Sequence, residues 1–332
     1  MKKILITGGA GFIGCHLSRH LLDTYGDVEL VLVDNLQRGR MDDDFKKLLE
    51  DKRIIFLNLD LTDPASYARI GADYDHVYHL AAINGTKLFY EMPQEVLRIN
   101  ALSLIYMLEW FRKHSAKGKF CFTSSNEAYA SALSAFGKLP IPTPEKVPLV
   151  IDDPYNARWS YASTKLVGEL FVIHYAKAYN FRALIVRPHN FYGPRAGYHG
   201  HVIPDFSKRI AAKVDPFPIY GADETRTFCY ITDAVTGFFK VLLSGRPGGV
   251  YNIGNDSEEI NILALAETIT GTVFGGKVHV KLINYPDNYP QDEPRRRCPD
   301  LSKARNELGY SARVGLKDGL LRAFEWLRGS SS

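Results

Sequence analysis

The feature that most constrains this sequence is a glycine cluster that directly follows a short apolar run at its start. Residues 3–7 read KILIT, and GGAGFIG follows at 8–14. The next apolar residues recur at helical spacing, so the pattern predicts a strand, a tight turn and a helix. Glycine at Gly8, Gly11 and Gly14 meets three needs of a dinucleotide site: the turn itself, close approach of backbone to pyrophosphate, and packing of helix on strand.

A second apolar run at 28–33 ends in Asp34-Asn35, twenty residues after Gly14. A carboxylate at this position accepts hydrogen bonds from the ribose hydroxyls of NAD and repels the 2′-phosphate of NADP. Arg38 and Arg40 follow closely and weaken that preference. We therefore predict NAD as the cofactor, with NADP as the alternative.

Composition places the chain among ordinary globular proteins, because 45% of its 332 residues are hydrophobic and 23% are charged. A net charge of +4 suits an anionic small ligand and requires neither nucleic acid nor membrane as a partner. The four cysteines form no CxxC pair, which favours reduced thiols and a cytoplasmic location. Two histidines in a predicted loop, His199 and His201, are weak metal candidates, and we predict no metal site.

Alternation of apolar strands and amphipathic helices predicts an α/β fold of the Rossmann type, a doubly wound parallel sheet with a smaller C-terminal lobe. We expect the sheet domain to span 1–186, with a later segment at about 226–256 returning to it, and the smaller lobe to span mainly 187–329. His79 is expected to be a buried core histidine, and Asn100 to cap a helix over 101–114. Further strands are predicted at 54–59, 76–80, 119–123 and 182–186, a second long helix at 161–178, and a surface loop at 139–154.

Ligands of such sheets lie at the carboxyl ends of the strands. The residues at those ends, together with the glycine turn, form the predicted cofactor site: Gly8, Gly11, Phe12, Ile13, Gly14, Asp34, Asn35, Asp60, Leu61, Leu80, Ala81, Ala82, Tyr161 and Lys165.

Tyr161 and Lys165 are four residues apart and share one face of a helix. A buried ammonium beside a phenol lowers the pKa of the phenol. Tyr161 can then accept the proton of a substrate hydroxyl as a hydride leaves the same carbon for NAD. Ser125, at the end of the fifth strand, is placed to hold that hydroxyl.

These motifs make the chain resemble an extended short-chain dehydrogenase/reductase of the nucleotide-sugar epimerase, dehydratase and decarboxylase group. The resemblance covers nearly the whole chain and includes TGGAGFIG at 7–14, HLAA at 79–82, TSSNEAY at 123–129, YASTK at 161–165 and RPHNFYGPR at 187–195. It implies a tightly bound NAD that oxidises a sugar carbon, usually C4, and is re-reduced in the same cycle. It also implies Ser125, Tyr161 and Lys165 as the catalytic triad.

The subgroup depends on a few positions. Glu127 stands where dehydratases and uronic-acid decarboxylases of the family carry a glutamate, and it is a further catalytic candidate. The structural alternative is a carboxylate held by arginine or by backbone at a strand end. Asn126 departs from both patterns and cannot act as an acid. Arg297 resembles the decarboxylase pattern RxPD, and the sequence RWSY at 158–161 is similar to the bifunctional decarboxylase of aminoarabinose synthesis. His189 instead resembles a motif of GDP-mannose 3,5-epimerase.

The resemblance implies a nucleoside-diphosphate sugar as substrate, with epimerisation through transient C4 oxidation as the leading reaction. Decarboxylation of a UDP-hexuronate is the close alternative, 4,6-dehydration is third, and an NAD-sensing protein without activity is the alternative outside enzymes. The family also implies a homodimer, formed by the helix after Asn100 and the helix bearing Tyr161, with Leu166, Leu170 and Phe171 as apolar candidates. The predicted substrate-binding residues are Asn190, Arg195, Val202, Arg226 and Arg297.

Overall fold

A computed structural model of the chain describes residues 1–196, 201–212, 214, 217–273, 279–284 and 295–329. The strands are β1 (Lys2–Thr7), β2 (Val28–Asp34), β3 (Ile54–Asn58), β4 (His76–His79), β5 (Lys119–Thr123), β6 (Arg182–Pro188), β7 (Phe191–Tyr192), β8 (Phe217–Ile219), β9 (Thr225–Thr227), β10 (Cys229–Tyr230), β11 (Val250–Ile253), β12 (Glu259–Asn261), β13 (Val280–Leu282) and β14 (Arg296–Arg297).

The helices are α1 (Phe12–Thr24), α2 (Asp43–Leu49), α3 (Thr86–Glu91), α4 (Pro93–His114), α5 (Ala132–Phe136), α6 (Trp159–Tyr179), α7 (Val202–Ala211), α8 (Ile231–Ser244), α9 (Ile262–Val273), α10 (Ser302–Leu308) and α11 (Leu316–Gly329). Two 3₁₀ turns span Pro64–Arg69 and Asn126–Tyr129. None of the described helices has the length and apolar character needed to cross a membrane.

Seven parallel strands form the central sheet in the order β11-β6-β5-β4-β1-β2-β3. Successive strand side chains point to opposite faces, so Ile4 and Ile6 pack into one core layer and Leu5 into the other. Helices α1 and α8 pack together on the first face, and α4 packs against α6 on the second. The predicted doubly wound parallel sheet is confirmed.

The C-terminal part of the described chain adds short sheets outside the central sheet. One has the order β12-β9-β14, and a second pairs β13 with β8. Strand β11 lies between the strands of these short sheets in sequence, yet it pairs with β6 in the central sheet.

The predicted start of α4 was wrong. The helix begins at Pro93, and Asn100 lies buried in its interior instead of capping it. Proline is favoured at the first position of a helix because its missing N–H has no partner there in any case. Asn100 instead accepts a hydrogen bond from the Ile83 backbone N–H at 2.7 Å and donates to the Ile83 carbonyl at 3.1 Å.

Candidate active site

A cavity of about 590 Å³ extends from the glycine turn, past the ends of β2 and β5, to the smaller lobe. This is the edge at which parallel sheets of this type bind ligands. Every residue of the predicted cofactor site lines it: Gly8, Gly11, Phe12, Ile13, Gly14, Asp34, Asn35, Asp60, Leu61, Leu80, Ala81, Ala82, Tyr161 and Lys165.

The glycine turn leaves no room for side chains. A Cβ at Gly14 would lie 2.2 Å from the Gly8 carbonyl oxygen, and a Cβ at Gly8 would lie 2.9 Å from the Ala81 nitrogen. Helix α1 begins after Gly11, whose position carries no side-chain cap. The N-terminal end of α1, with the positive end of its helix dipole, lines the cavity, which fits the pyrophosphate of NAD.

Asp34 is buried beside this turn, with 8% of its surface exposed. One carboxylate oxygen accepts from the Ala10 N–H at 3.1 Å and the other from the Leu36 N–H at 2.8 Å. Burial raises the pKa of this carboxyl above its usual range. Each oxygen keeps a further lone pair for a ribose hydroxyl, so the predicted ribose contact is compatible with these bonds and stays a prediction.

The three predicted catalytic side chains come together in the same cavity. Ser125 follows β5, and Tyr161 and Lys165 lie one turn apart on α6. The Lys165 Nζ lies 5.5 Å from the Tyr161 ring centroid and donates to the Thr123 carbonyl at 2.7 Å. The arrangement holds a hydroxyl, a phenol and an amine around one point.

The direction predicted for the Tyr161 pKa was wrong. Burial raises the pKa of Tyr161 above its usual range, and this effect exceeds the opposing effect of the Ser125 hydroxyl. Burial also lowers the pKa of Lys165 to about 7. The Lys165 side-chain nitrogen donates its hydrogen bond to the Thr123 backbone carbonyl and not to the Tyr161 phenol oxygen.

Glu127 lies between two arginines in the same cavity. Arg297 donates to one of its oxygens at 2.6 Å, and Arg158 approaches the other at 3.3 Å. Burial opposes ionisation of Glu127, but Arg297 and Arg158 outweigh it and lower the pKa of this carboxyl to about 2. Glu127 is therefore an ionised, weakly basic carboxylate held by arginine, and its catalytic role stays a prediction.

Asn126 follows Ser125 and is also part of the cavity wall. Its side-chain oxygen lies 3.3 Å from the Ser125 hydroxyl, which donates to it. The Ser125 oxygen in turn accepts from the Glu127 backbone N–H at 3.1 Å. Asn126 thus orients the serine, while its amide supplies no acidic proton.

A buried ion pair behind the catalytic residues was not predicted from the sequence. Glu169 accepts from the Arg187 guanidinium at 2.8 and 2.7 Å and from the Ser124 hydroxyl at 2.5 Å. Both charged side chains are 3% exposed. Glu169 is four residues after Lys165 on α6, so helical spacing was the available signal. The pair fixes α6 against the ends of β5 and β6.

Four of the five predicted substrate residues line the part of the cavity nearest the smaller lobe: Asn190, Val202, Arg226 and Arg297. Strand β14 runs beside β9, and this pairing sets Arg297 next to Arg226. Arg226 also donates to Glu224 at 2.8 Å. The Asn190 amide donates to the Thr227 carbonyl at 2.9 Å.

The substrate-binding prediction for Arg195 is corrected. This side chain is 5% exposed and is not part of the cavity wall. It pairs with Asp42 at 2.8 Å and donates to the Ala10 and Arg40 carbonyls at 3.2 and 3.1 Å. Arg195 therefore connects the segment after β7 to the backbone of the glycine turn through hydrogen bonds.

Two histidines singled out from the sequence are buried. His79 lies 3.0 Å from the Thr7 hydroxyl, and burial lowers its pKa to about 3, which confirms the core interpretation. His189 lies within 3.3 Å of both Tyr129 and Asn252 and is not part of the cavity wall. His199 lies outside the described residues. Within the described ranges, no group of three or more histidine, cysteine or acidic residues is arranged to hold a metal.

Comparison with known proteins agrees with this geometry. Residues 4–254 match the model of the NAD dependent epimerase/dehydratase family. UDP-glucuronic acid decarboxylase 3 of Arabidopsis thaliana is 31% identical over 96% of this chain and 86% of the relative. UDP-N-acetyl-alpha-D-glucosaminuronate decarboxylase of Bacillus cytotoxicus is 32% identical over 98% of each chain.

Among solved structures, a tyrosine-to-phenylalanine mutant of UDP-glucuronic acid 4-epimerase from Bacillus cereus, solved with NAD and a fluorinated UDP-glucuronic acid, has a TM-score of 0.84 and 27% identity. That similarity covers 98% of this chain and 99% of the other. The chain belongs to the NAD-dependent epimerase/dehydratase family and is an NAD-dependent enzyme that modifies nucleotide sugars.

Proposed function

We propose that this enzyme decarboxylates a UDP-hexuronate after transient oxidation of its C4 hydroxyl. The observation that carries the proposal is the contact of Glu127 with Arg297 and Arg158, in the same cavity as Ser125 and Tyr161. Epimerisation led the expectations from sequence. The arginines of this cluster favour a uronate as the substrate, and the similarity to two uronate decarboxylases favours its decarboxylation.

The cluster brings arginines to one end of the cavity. Arg158 and Arg297 contact the Glu127 carboxylate, and Arg226 pairs with Glu224 and lies beside Arg297. Arginine binds planar carboxylates with two parallel donors. A sugar carboxylate therefore fits this end of the cavity better than a neutral hydroxymethyl group.

Each catalytic residue then has a defined task. Ser125 holds the C4 hydroxyl and Tyr161 accepts its proton, and bound NAD would supply reversible hydride transfer at C4. In the 4-keto sugar the C6 carboxylate is β to the ketone. The C5–C6 bond can then break, carbon dioxide leaves, and the electron pair moves toward the C4 oxygen between Ser125 and Tyr161. A proton added at C5 completes the step.

Dehydration is disfavoured by the same residues. It requires a base that removes the C5 proton, whereas the arginines hold the pKa of Glu127 well below its usual range and make this carboxylate a weak base. It also requires an acid for the departing C6 hydroxyl, and Asn126 cannot supply one. The similarity to two uronate decarboxylases supports the same choice.

Epimerisation at C4 of the same UDP-hexuronate is the second candidate. It also needs no base at C5, and the arginine cluster would hold the same carboxylate. The similarity to the solved UDP-glucuronic acid 4-epimerase favours it. The two reactions differ in whether the product keeps its carboxylate.

We also propose that the enzyme is cytoplasmic and binds NAD on 1–186 and 226–256 and the nucleotide sugar mainly on 187–329. The described cysteines are free thiols, which supports a cytoplasmic location.

We further propose that the enzyme is a homodimer, because α4 and α6 carry exposed apolar side chains. These side chains are 37–49% exposed: Leu97, Val167, Leu170 and Ile173. Leu170 is exposed, whereas Phe171 is partly buried against the core. Sedimentation of Leu170→Asp against wild type tests the interface.

The test of function is product analysis with purified enzyme and three separate sugars: UDP-glucuronate, UDP-N-acetylglucosaminuronate and UDP-glucose. We expect carbon dioxide and a product lighter by one carboxyl group from a uronate, and no turnover of UDP-glucose. Unchanged product mass with altered ring couplings would establish epimerisation instead. Loss of water would contradict the roles assigned to Glu127 and Asn126.

A further inference from the structure

A second aromatic ring covers the catalytic tyrosine. The rings of Phe89 and Tyr161 stack with centroids 4.9 Å apart and planes 10° from parallel. Both side chains are nearly buried, with 4% and 6% of their surfaces exposed. They form one apolar cluster with Ile83 and Val96, and Phe89 also lines the active-site cavity.

The segment that carries Phe89 is itself attached to the helix of Tyr161. Helix α3 packs against both α4 and α6. Asn100 bonds both backbone groups of Ile83 and donates to the Thr164 hydroxyl at 3.2 Å. Thr164 donates in turn to the Tyr161 carbonyl at 2.7 Å. The stacked ring is therefore held in place relative to the backbone of the tyrosine that it covers.

We propose that Phe89 is a positioning residue for Tyr161, which fixes the plane of the phenol and excludes water from one of its faces. Offset stacking of this kind contributes orientation beyond simple burial. A phenol that rotates loses its alignment with the C4 hydroxyl, and a misplacement of about 1 Å can cost about 100-fold in rate. The inference rests on C4 oxidation, which the proposed decarboxylation and its epimerase alternative share.

The charged groups around Tyr161 lie on α6, on α3 and after β5, and none of them is altered by replacing Phe89. Lys165 lies on the same helix, and Glu127, with its arginines, follows β5. On α3 the pair Lys87 and Glu91 is exposed. Replacing Phe89 changes none of these charges. Its removal admits water, which favours the phenolate, so the pKa of Tyr161 should fall.

The test compares Phe89→Ala, Phe89→Leu and Phe89→Tyr with the control Tyr90→Ala, which removes a 40%-exposed ring from the same helix. Two measurements are made on the NAD-loaded protein. The first is kcat and KM for oxidation of UDP-glucuronate. The second is a pH titration of Tyr161 by ¹³C NMR of labelled tyrosine, with the resonance identified by its loss in Tyr161→Phe.

We expect Phe89→Ala to lower kcat by about tenfold or more with KM nearly unchanged, and Phe89→Tyr to restore it. The Tyr161 resonance should respond at lower pH in Phe89→Ala and Phe89→Leu than in wild type. The inference would be overturned if Phe89→Ala and Phe89→Leu both kept the wild-type kcat and the wild-type titration of Tyr161. It would also be overturned if these variants changed KM and left kcat unchanged. If Phe89→Ala does not fold, the comparison of Leu with Tyr decides.

Failure of the proposed function gives a different signature. A wild-type enzyme that does not act on UDP-glucuronate contradicts the substrate assignment, but the NMR titration needs no substrate. An identical Tyr161 titration in wild type and Phe89→Leu contradicts the role of Phe89 whatever the substrate.

Discussion

Replacing Arg297 by alanine should separate recognition of the sugar carboxylate from recognition of the rest of the nucleotide sugar. The side chain is 13% exposed and donates to Glu127 at 2.6 Å. Its neighbour in β14, Arg296, is 51% exposed and pairs with Glu259. Arg296→Ala is therefore a matched control that removes the same charge from an adjacent position.

The magnitude follows from the kind of contact that is lost. A hydrogen bond to a charged group contributes about 1.5–3 kcal/mol, which corresponds to about 10- to 150-fold in affinity. Glu127 competes with the substrate for the same guanidinium, so we expect the lower part of this range. Removal of Arg297 should also raise the pKa of Glu127, because Arg297 is the strongest of the groups that lower it.

The assay is calorimetric titration of the NAD-loaded protein with UDP-glucuronate and, separately, with UDP-glucose. Arg297→Ala should weaken binding of UDP-glucuronate by about 10- to 30-fold and leave that of UDP-glucose nearly unchanged. Arg297→Lys keeps the charge without the planar fork and should fall between the two. An equal loss for both sugars, or an equal loss in Arg296→Ala, would refute the assignment of Arg297 to the sugar carboxylate.

Three further predictions follow from the site. Gly14→Ala should abolish NAD retention, because its Cβ would lie 2.2 Å from a carbonyl oxygen. The control Gly271→Ala places its Cβ in open space and should retain NAD. The NAD content of the purified proteins tests both. Glu169→Ala should destabilise the fold by about 3–5 kcal/mol in chemical denaturation, since it leaves a guanidinium buried without its partner, whereas loss of the exposed Glu95 should have little effect. Tyr161→Phe should lower turnover by at least about 100-fold while NAD stays bound. The rate of oxidation by the wild-type enzyme should rise with pH, because Tyr161 accepts a proton only as phenolate and burial raises its pKa. An NAD-sensing protein without activity would show no loss of turnover in this variant.

The fold could be predicted because its signals are local. Glycine is needed at Gly14, for example, because its Cβ would collide with the carbonyl oxygen of Gly8 in the same turn. The strand ends then place Asp34 and Ser125 at one edge of the sheet by topology alone.

The errors arose where the partner of a polar residue lies far away in sequence. Asn100 was wrongly predicted to cap a helix. Its hydrogen-bond partner, Ile83, lies on a different segment, which the local sequence does not reveal. Arg195 was predicted to bind substrate, although its charge is satisfied by Asp42. The pKa of Tyr161 depends on burial in three dimensions, which the spacing of Tyr161 and Lys165 on a helix does not reveal.

The most direct test of the proposed reaction is conversion of UDP-glucuronate in deuterated water, followed by mass spectrometry and NMR of the product. Decarboxylation predicts loss of carbon dioxide and one solvent deuterium at C5, because the proton that replaces the carboxylate comes from solvent. A product of unchanged mass, without deuterium on carbon and inverted at C4, would contradict decarboxylation and establish the epimerase.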